Sequence, residues 1–139
     1  MIILDTHVLS ELMRPEPAAS VVRWMNAQPL SALRVTALSY AEILLGIASL
    51  PDGQRRDQLA EQAEGLFLKD FAGRILCFEP AAAPAYAALA AQRRQAGQPL
   101  GAVEGMIAAI AHVHGAAIAT RNSDLGSCGV PLIDPWAVP

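Results

Sequence analysis

Cysteine is scarce in this chain, and a glycine-rich phosphate loop, a nucleotide-binding fingerprint and a long apolar run are all missing. The two cysteines, Cys77 and Cys128, lie far apart with neither CxxC nor zinc-ligand spacing, so they read as buried free thiols and not as ligands. Histidine offers no metal pair: His112 and His114 are two apart on a predicted helix and point to different sides. Without a phosphate loop or dinucleotide motif, kinases, P-loop enzymes and most dinucleotide users are excluded. The longest apolar stretch, around Met106–Val113, is interrupted by His112, follows Glu104-Gly105, and is too short to cross a bilayer. The N-terminus lacks the basic, apolar and small-residue succession of a signal peptide, so a cytoplasmic protein with no membrane association is expected. Positive charge is also short: a net charge of −3 argues against a protein that coats nucleic acid. It does not argue against a nuclease, because phosphate can be held through metal ions whose carboxylate ligands lower the net charge.

What is present is a 139-residue chain that is 53% hydrophobic, enough to bury the core of one domain over residues 1–139. Short apolar runs at 2–4, 33–36, 75–78, 116–119 and 131–133 read as strands. Between them lie helical patterns: a short helix from Asp5 or Thr6 to Arg14-Pro15, then 18–27, 37–50, 54–68, 80–96 and 102–114, several closed by Gly or Pro. Strands alternating with helices predict an α/β fold with a parallel sheet covered on both faces. In such folds ligands sit beyond the carboxyl ends of the strands, so the residue after each strand is where chemistry is expected.

Three acids stand out by position. Asp5 follows the first strand and heads a helix, where an N-cap is the ordinary role of Asp. Glu42 is the only acid between Pro17 and Pro51. Leu38 and Leu45, one turn away on either side, place it on a core face, where a carboxylate needs a hydrogen bond, an ion pair or a cation, unless the helix simply exposes that edge. Glu104 is the only acid between Pro80 and Ser123, in the first turn of an apolar helix, where the helix dipole alone favours an acid. Two solitary acids in apolar helices and a strand-end aspartate together fit a shared cation site. Asn122, after the fourth strand, sits at the same kind of sheet edge, although Asn is also an ordinary turn residue; Asp124 is two residues on. Oxygen ligands without cysteine or paired histidine suit Mg2+, with Mn2+ as a substitute. Such a site points to phosphodiester hydrolysis, in which a metal lowers the pKa of a bound water and stabilises charge on the phosphorus oxygens.

With those residues in place, the sequence resembles the PIN-domain ribonucleases, and among them the VapC toxins of the FitB-like subgroup. The resemblance is carried in order by 1–11, Arg14-Pro15, Ala41-Glu42-Ile43, Leu45-Gly46-Ile47, Pro51-Asp52-Gly53, 71–76, 107–111, Ala119-Thr120-Arg121-Asn122 and Pro135-Trp136. It implies a three-layer α/β/α sandwich with a short parallel sheet of four or five strands. It also implies a homodimer, magnesium-dependent endoribonuclease activity as the toxin of a type II toxin–antitoxin system, and inhibition by a cognate antitoxin, in places within larger toxin–antitoxin assemblies. The family's acidic positions fall on Asp5, Glu42 and Glu104, and its fourth on Asn122; Thr6 matches the hydroxyl that helps organise the metal site. Asp5 and Glu104 are the implied metal ligands, and all four positions are implied catalytic residues. Residue 7 is His where Asn is usual, residue 104 is Glu where Asp is typical, and the stretch after Asn122 is one residue short.

A haloacid-dehalogenase-like phosphatase also begins with a strand ending in Asp, but that chemistry needs a second Asp at the position occupied here by His7. A second alternative is a catalytically weakened PIN-fold protein that acts mainly by binding its antitoxin. Arg55-Arg56, Arg93-Arg94 and Arg121, the last beside the site, are candidates for the approach of RNA, although the two pairs read more simply as solvated helix faces. Trp24 and Trp136 read as core or interface aromatics.

Overall fold

A computed structural model describes residues 1–138. The chain runs β1 (Ile2–Leu4), α1 (Thr6–Leu12), α2 (Ala19–Ala27), β2 (Leu33–Thr36), α3 (Ala37–Ala48), α4 (Gln54–Gly65), β3 (Ile75–Leu76), α5 (Ala82–Gln95), α6 (Ala102–His114), β4 (Ala117–Ala119) and β5 (Leu132–Ile133), with 3-10 turns at Leu30–Ala32 and Ser123–Cys128. The strands form one five-stranded sheet in the order β3-β2-β1-β4-β5. Every pairing is parallel, with Leu4 opposite Ala119 and Ile3 opposite both Arg34 and Ile118.

Successive strand residues point to opposite faces, and each face has its own core. Leu4, Leu33, Val35 and Ala119 pack with Val8, Leu9, Val21, Trp24, Ile43, Ile47 and Phe67 beneath α1–α4. Ile3 and Ile118 pack with Ala82, Ile107, Ala108, Ile110, Leu125 and Val130 beneath α5 and α6. The result is the expected α/β/α sandwich, with five strands. No helix among the described residues is long and apolar enough to cross a membrane.

Local chemistry explains the elements. Thr36 ends β2 and caps α3, its Oγ1 accepting from the Ser39 amide at 3.1 Å. Gly115, at φ 60°, supplies the left-handed residue that ends α6 and turns the chain straight into β4. That short return makes α6 antiparallel to β4, so the start of α6 lies at the carboxyl edge of the sheet.

The structure corrects several expectations. The helix after Gly53 does not end at Leu68: beyond α4 it widens into a π-helical turn, Leu66–Asp70, where the Phe71 amide donates to the Leu66 carbonyl at 3.0 Å. Phe67 is thereby buried and stacks on Tyr40 at 4.3 Å between centroids, and Phe71 is buried as well. Cys77 is exposed and Cys128 only partly buried, because Cys77 follows the two-residue edge strand β3 and leaves the core there. Arg93 is not on a solvated face; it is 8% exposed. Trp24 is in the core, and Trp136 packs partly buried against it.

Candidate active site

Asp5 joins the sheet to the first helix. Its amide donates to the Ala119 carbonyl at 3.0 Å, extending the β1–β4 ladder by one residue. Its Oδ1 accepts from the Thr6 amide at 2.8 Å, so the capping role holds. Its Oδ2 accepts from Thr120 Oγ1 at 2.7 Å, and His7 Nδ1 lies 3.5 Å from the same oxygen. The residue is only 6% exposed. Each carboxylate oxygen offers about two acceptor sites, so both remain able to face a cation while the side chain is fixed in orientation.

Thr6, the first residue of α1, reaches across to α3. Its Oγ1 is 2.7 Å from Glu42 Oε1 and 2.9 Å from Ser39 Oγ. A hydroxyl has one proton, and an ionised carboxylate can only accept. Thr6 therefore donates to Glu42 and accepts from Ser39, whose own oxygen lies 3.3 Å from Thr36 Oγ1. Three hydroxyls thus line up behind one carboxylate oxygen.

Glu42 itself is exposed, against the expectation of a core-facing acid. The buried stripe of α3 is Ser39, Ile43 and Ile47, while Leu45 is 69% exposed. With apolar residues on nearly every side of this helix, Leu45 marked the wrong face, while Leu38 packs partly buried against the core on the other side of the sheet. Glu42 lies at the border of the stripe, where water reaches it.

Asn122 caps the Ser123–Cys128 turn, its Oδ1 accepting from the Asp124 amide at 3.1 Å. Its own amide donates to Thr120 Oγ1 at 3.0 Å, which connects it through Thr120 to Asp5. Asp124 is exposed. Glu104 is half-buried in the first turn of α6, with its carboxyl group over Gly101, in the manner of a helix-start acid. No hydrogen bond or ion pair among the described residues ties it to the others. Among the described residues no three Asp, Glu, His or Cys side chains converge closely enough to hold a metal ion. Asp5, Glu42 and Asn122 are joined through Thr6 and Thr120; Glu104 stands apart at the same edge.

Arg121 stacks on Trp136, its guanidinium 4.4 Å from the ring centroid. Ser39 and Thr120 are the members of this network that sequence reasoning did not single out. Thr120 follows β4 as Asp5 follows β1, and Ser39 is three residues before Glu42, so both had a positional signal. Beside Thr6 and Glu42 a groove of about 270 Å³ runs past Met13, Ile43 and Ile47 to Arg14 and Arg55.

A parallel sheet with a capped, hydroxyl-oriented aspartate at its carboxyl edge belongs to the class of α/β folds that bind ligands beyond the strand ends, and comparison with known proteins specifies it. The PIN domain family matches residues 2–129. Over 137 residues the chain is 41% identical to "VapC ribonuclease Y4jK" of Sinorhizobium fredii, covering 98% of each protein. It is 39% identical over 137 residues to "Toxin FitB" of Neisseria gonorrhoeae, covering 98% of this chain and 99% of that one. The solved structure of FitAcB from Neisseria gonorrhoeae superposes with a TM-score of 0.92 at 37% identity, covering 99% of this chain and 100% of that one. The chain belongs to the PIN-domain family, and within it to the branch of VapC and FitB.

Proposed function

We propose that the chain is a magnesium-dependent endoribonuclease and the toxin of a type II toxin–antitoxin pair. The observation that carries this reading is the fixed Asp5 carboxylate at the sheet edge, beside the Thr6–Glu42 pair. Similarity over nearly the whole length to a protein named VapC ribonuclease supports the choice of RNA as substrate.

The donor set suits a hydrated magnesium ion. Mg2+ keeps several waters and is commonly held by one or two carboxylates, so it does not require a three-acid cage. Asp5 and Glu104 are the residues we assign to hold it, with Mn2+ as a substitute. When bound, such an ion lowers the pKa of water and stabilises charge on the phosphate. Of the chain's own residues, Asp5 orients the site, Thr6 and Ser39 fix one oxygen of Glu42, and the other Glu42 oxygen is open to accept a proton from the attacking water. Asn122 borders the same edge.

The partner in this reading is a cognate antitoxin, in keeping with similar structures that contain FitAB and VapBC complexes. The apolar groove beside Glu42 offers it a seat next to the site. We assign the protein to the cytoplasm, where its RNA is, and expect a homodimer. The test uses purified, antitoxin-free protein on structured RNA with Mg2+, with Mn2+ and with EDTA. Cleavage that needs the metal and disappears in Asp5→Asn supports the reading; equal cleavage by wild type and Asp5→Asn refutes it.

A second reading, binding of the antitoxin with little catalysis, is favoured by one observation: Glu104 lies over Gly101 without a link to the other acids. Tight antitoxin binding with no metal-dependent cleavage by the wild type would select it.

A further inference from the structure

Arg93 is the only buried cation among the described residues. No carboxylate pairs with it, and its Nε has no hydrogen-bond partner. A cation near the end of α5 is favoured by the helix dipole, but the exposed Arg94 next to it already meets that need from the solvent. Burying an unpaired guanidinium costs free energy that the dipole does not explain.

Its one side-chain partner is informative. Arg93 Nη1 donates to Ser127 Oγ, in the turn that joins β4 to β5. Ser127 Oγ in turn donates to the Asp124 carbonyl at 3.3 Å. The Asp124 amide donates to Asn122 Oδ1, the Asn122 amide donates to Thr120 Oγ1, and Thr120 Oγ1 donates to Asp5 Oδ2. A continuous path of hydrogen bonds and one short turn therefore runs from a buried arginine on one helix layer to the carboxylate at the sheet edge.

We propose that Arg93 is a positioning residue: it clamps the Ser123–Cys128 turn from α5, and through that turn holds Asn122 and Thr120 in register with Asp5. The proposal rests on the reading of Asp5 and Asn122 as site residues. It accounts for the burial of the charge, because a charged donor on Ser127 holds a short turn more firmly than an apolar side chain would. It also gives a reason for a turn that contains Gly126 and is followed by Gly129 to keep one conformation at a site edge.

The test is Arg93→Met, which keeps an unbranched side chain of similar length and removes a buried unpaired charge, a change that cores tolerate. Amide hydrogen exchange reads the turn directly. The amides of Asn122 and Leu125, the latter bonded to the Asn122 carbonyl at 3.3 Å, are expected to exchange about tenfold faster, while those of 107–111 in α6 do not change. Ser127→Ala is expected to give the same pattern, and the double variant no more than either single one. Unchanged exchange at Asn122 and Leu125 overturns the proposal, as does equal acceleration throughout α6. On RNA, Arg93→Met is expected to lower kcat about tenfold with KM unchanged, the signature of a misplaced catalytic group. If the wild type cuts no RNA but the exchange pattern appears, the ribonuclease reading fails and the clamp stands. Cleavage by the wild type without the exchange pattern gives the opposite result.

Discussion

Two acids at the carboxyl edge of the sheet differ in how they are held. Asp5 has both oxygens engaged, one by the helix it caps and one by Thr120, and its amide continues the β1–β4 ladder. Glu104 is at the head of α6 with no comparable link among the described residues, and its carboxyl group rests over Gly101. The difference follows from reach. A short side chain that leaves a strand is fixed by the backbone around it, whereas a glutamate in a first helical turn has more rotamers to settle. The Asp5 side is therefore organised in advance, and the Glu104 side depends on what it binds.

The most severe way to break this contrast is Asp5→Asn. Asn caps helices about as well as Asp, so α1 should form and the fold should persist. Loss of the charge should lower metal-dependent cleavage by more than about 100-fold, since even residues one step removed from a metal cost about 10- to 100-fold. Cleavage rates at saturating Mg2+, with circular dichroism as the check on folding, measure it.

Glu104 sharpens the contrast. If it holds the ion in the working state, Glu104→Ala should lose cleavage by about 100-fold, whereas Glu104→Asp should retain or raise it. Unchanged activity in Glu104→Ala would leave it as a helix-start acid alone. The same two variants titrated with Mn2+ should show weakened binding for alanine only.

Thr6→Val tests the organised side with a smaller change. Valine keeps the β-branched shape and removes the hydroxyl that donates to Glu42, so cleavage should fall about tenfold with little change in stability. A rate equal to wild type would mean that the hydroxyl row behind Glu42 plays no part in orienting it.

What was legible in the sequence follows the same division. The strand ends, and with them Asp5 and the position of Asn122, could be read because short apolar runs bounded by polar residues define a parallel sheet and its edge. The start of α6, and so the place of Glu104, followed from Gly101 and the apolar run after it. The facing of α3 was not legible: its apolar residues surround the helix, and the buried stripe includes Ser39, a polar residue whose partners lie 33 residues earlier and three residues back. The burial of Arg93 was hidden for a related reason. A basic pair at a helix end looks like a solvated face, and only the return of the chain at Ser127 places a lid over one of the two.

Glu11 gives the smallest expected effect and the clearest dependence on pH. It is buried at the end of α1, where its Oε2 accepts from the Ala18 amide at 3.1 Å and Arg14 approaches at 3.2 Å, tying α1 to the start of α2. The Ala18 amide holds its carboxyl below the usual range against the opposing effect of burial, with Arg14 and then Arg121 adding to the lowering. A group whose folded pKa lies below its unfolded value, about 4.3 for Glu, stabilises the fold fully above that value and loses its contribution as pH falls through the folded pKa. Glu11→Gln should therefore be less stable than wild type near neutral pH, and the gap in Tm should narrow in acid, below about pH 4. Thermal melts of both proteins across that range check it, and a gap that stays constant or widens in acid would show that the charge of Glu11 does not carry the stabilisation.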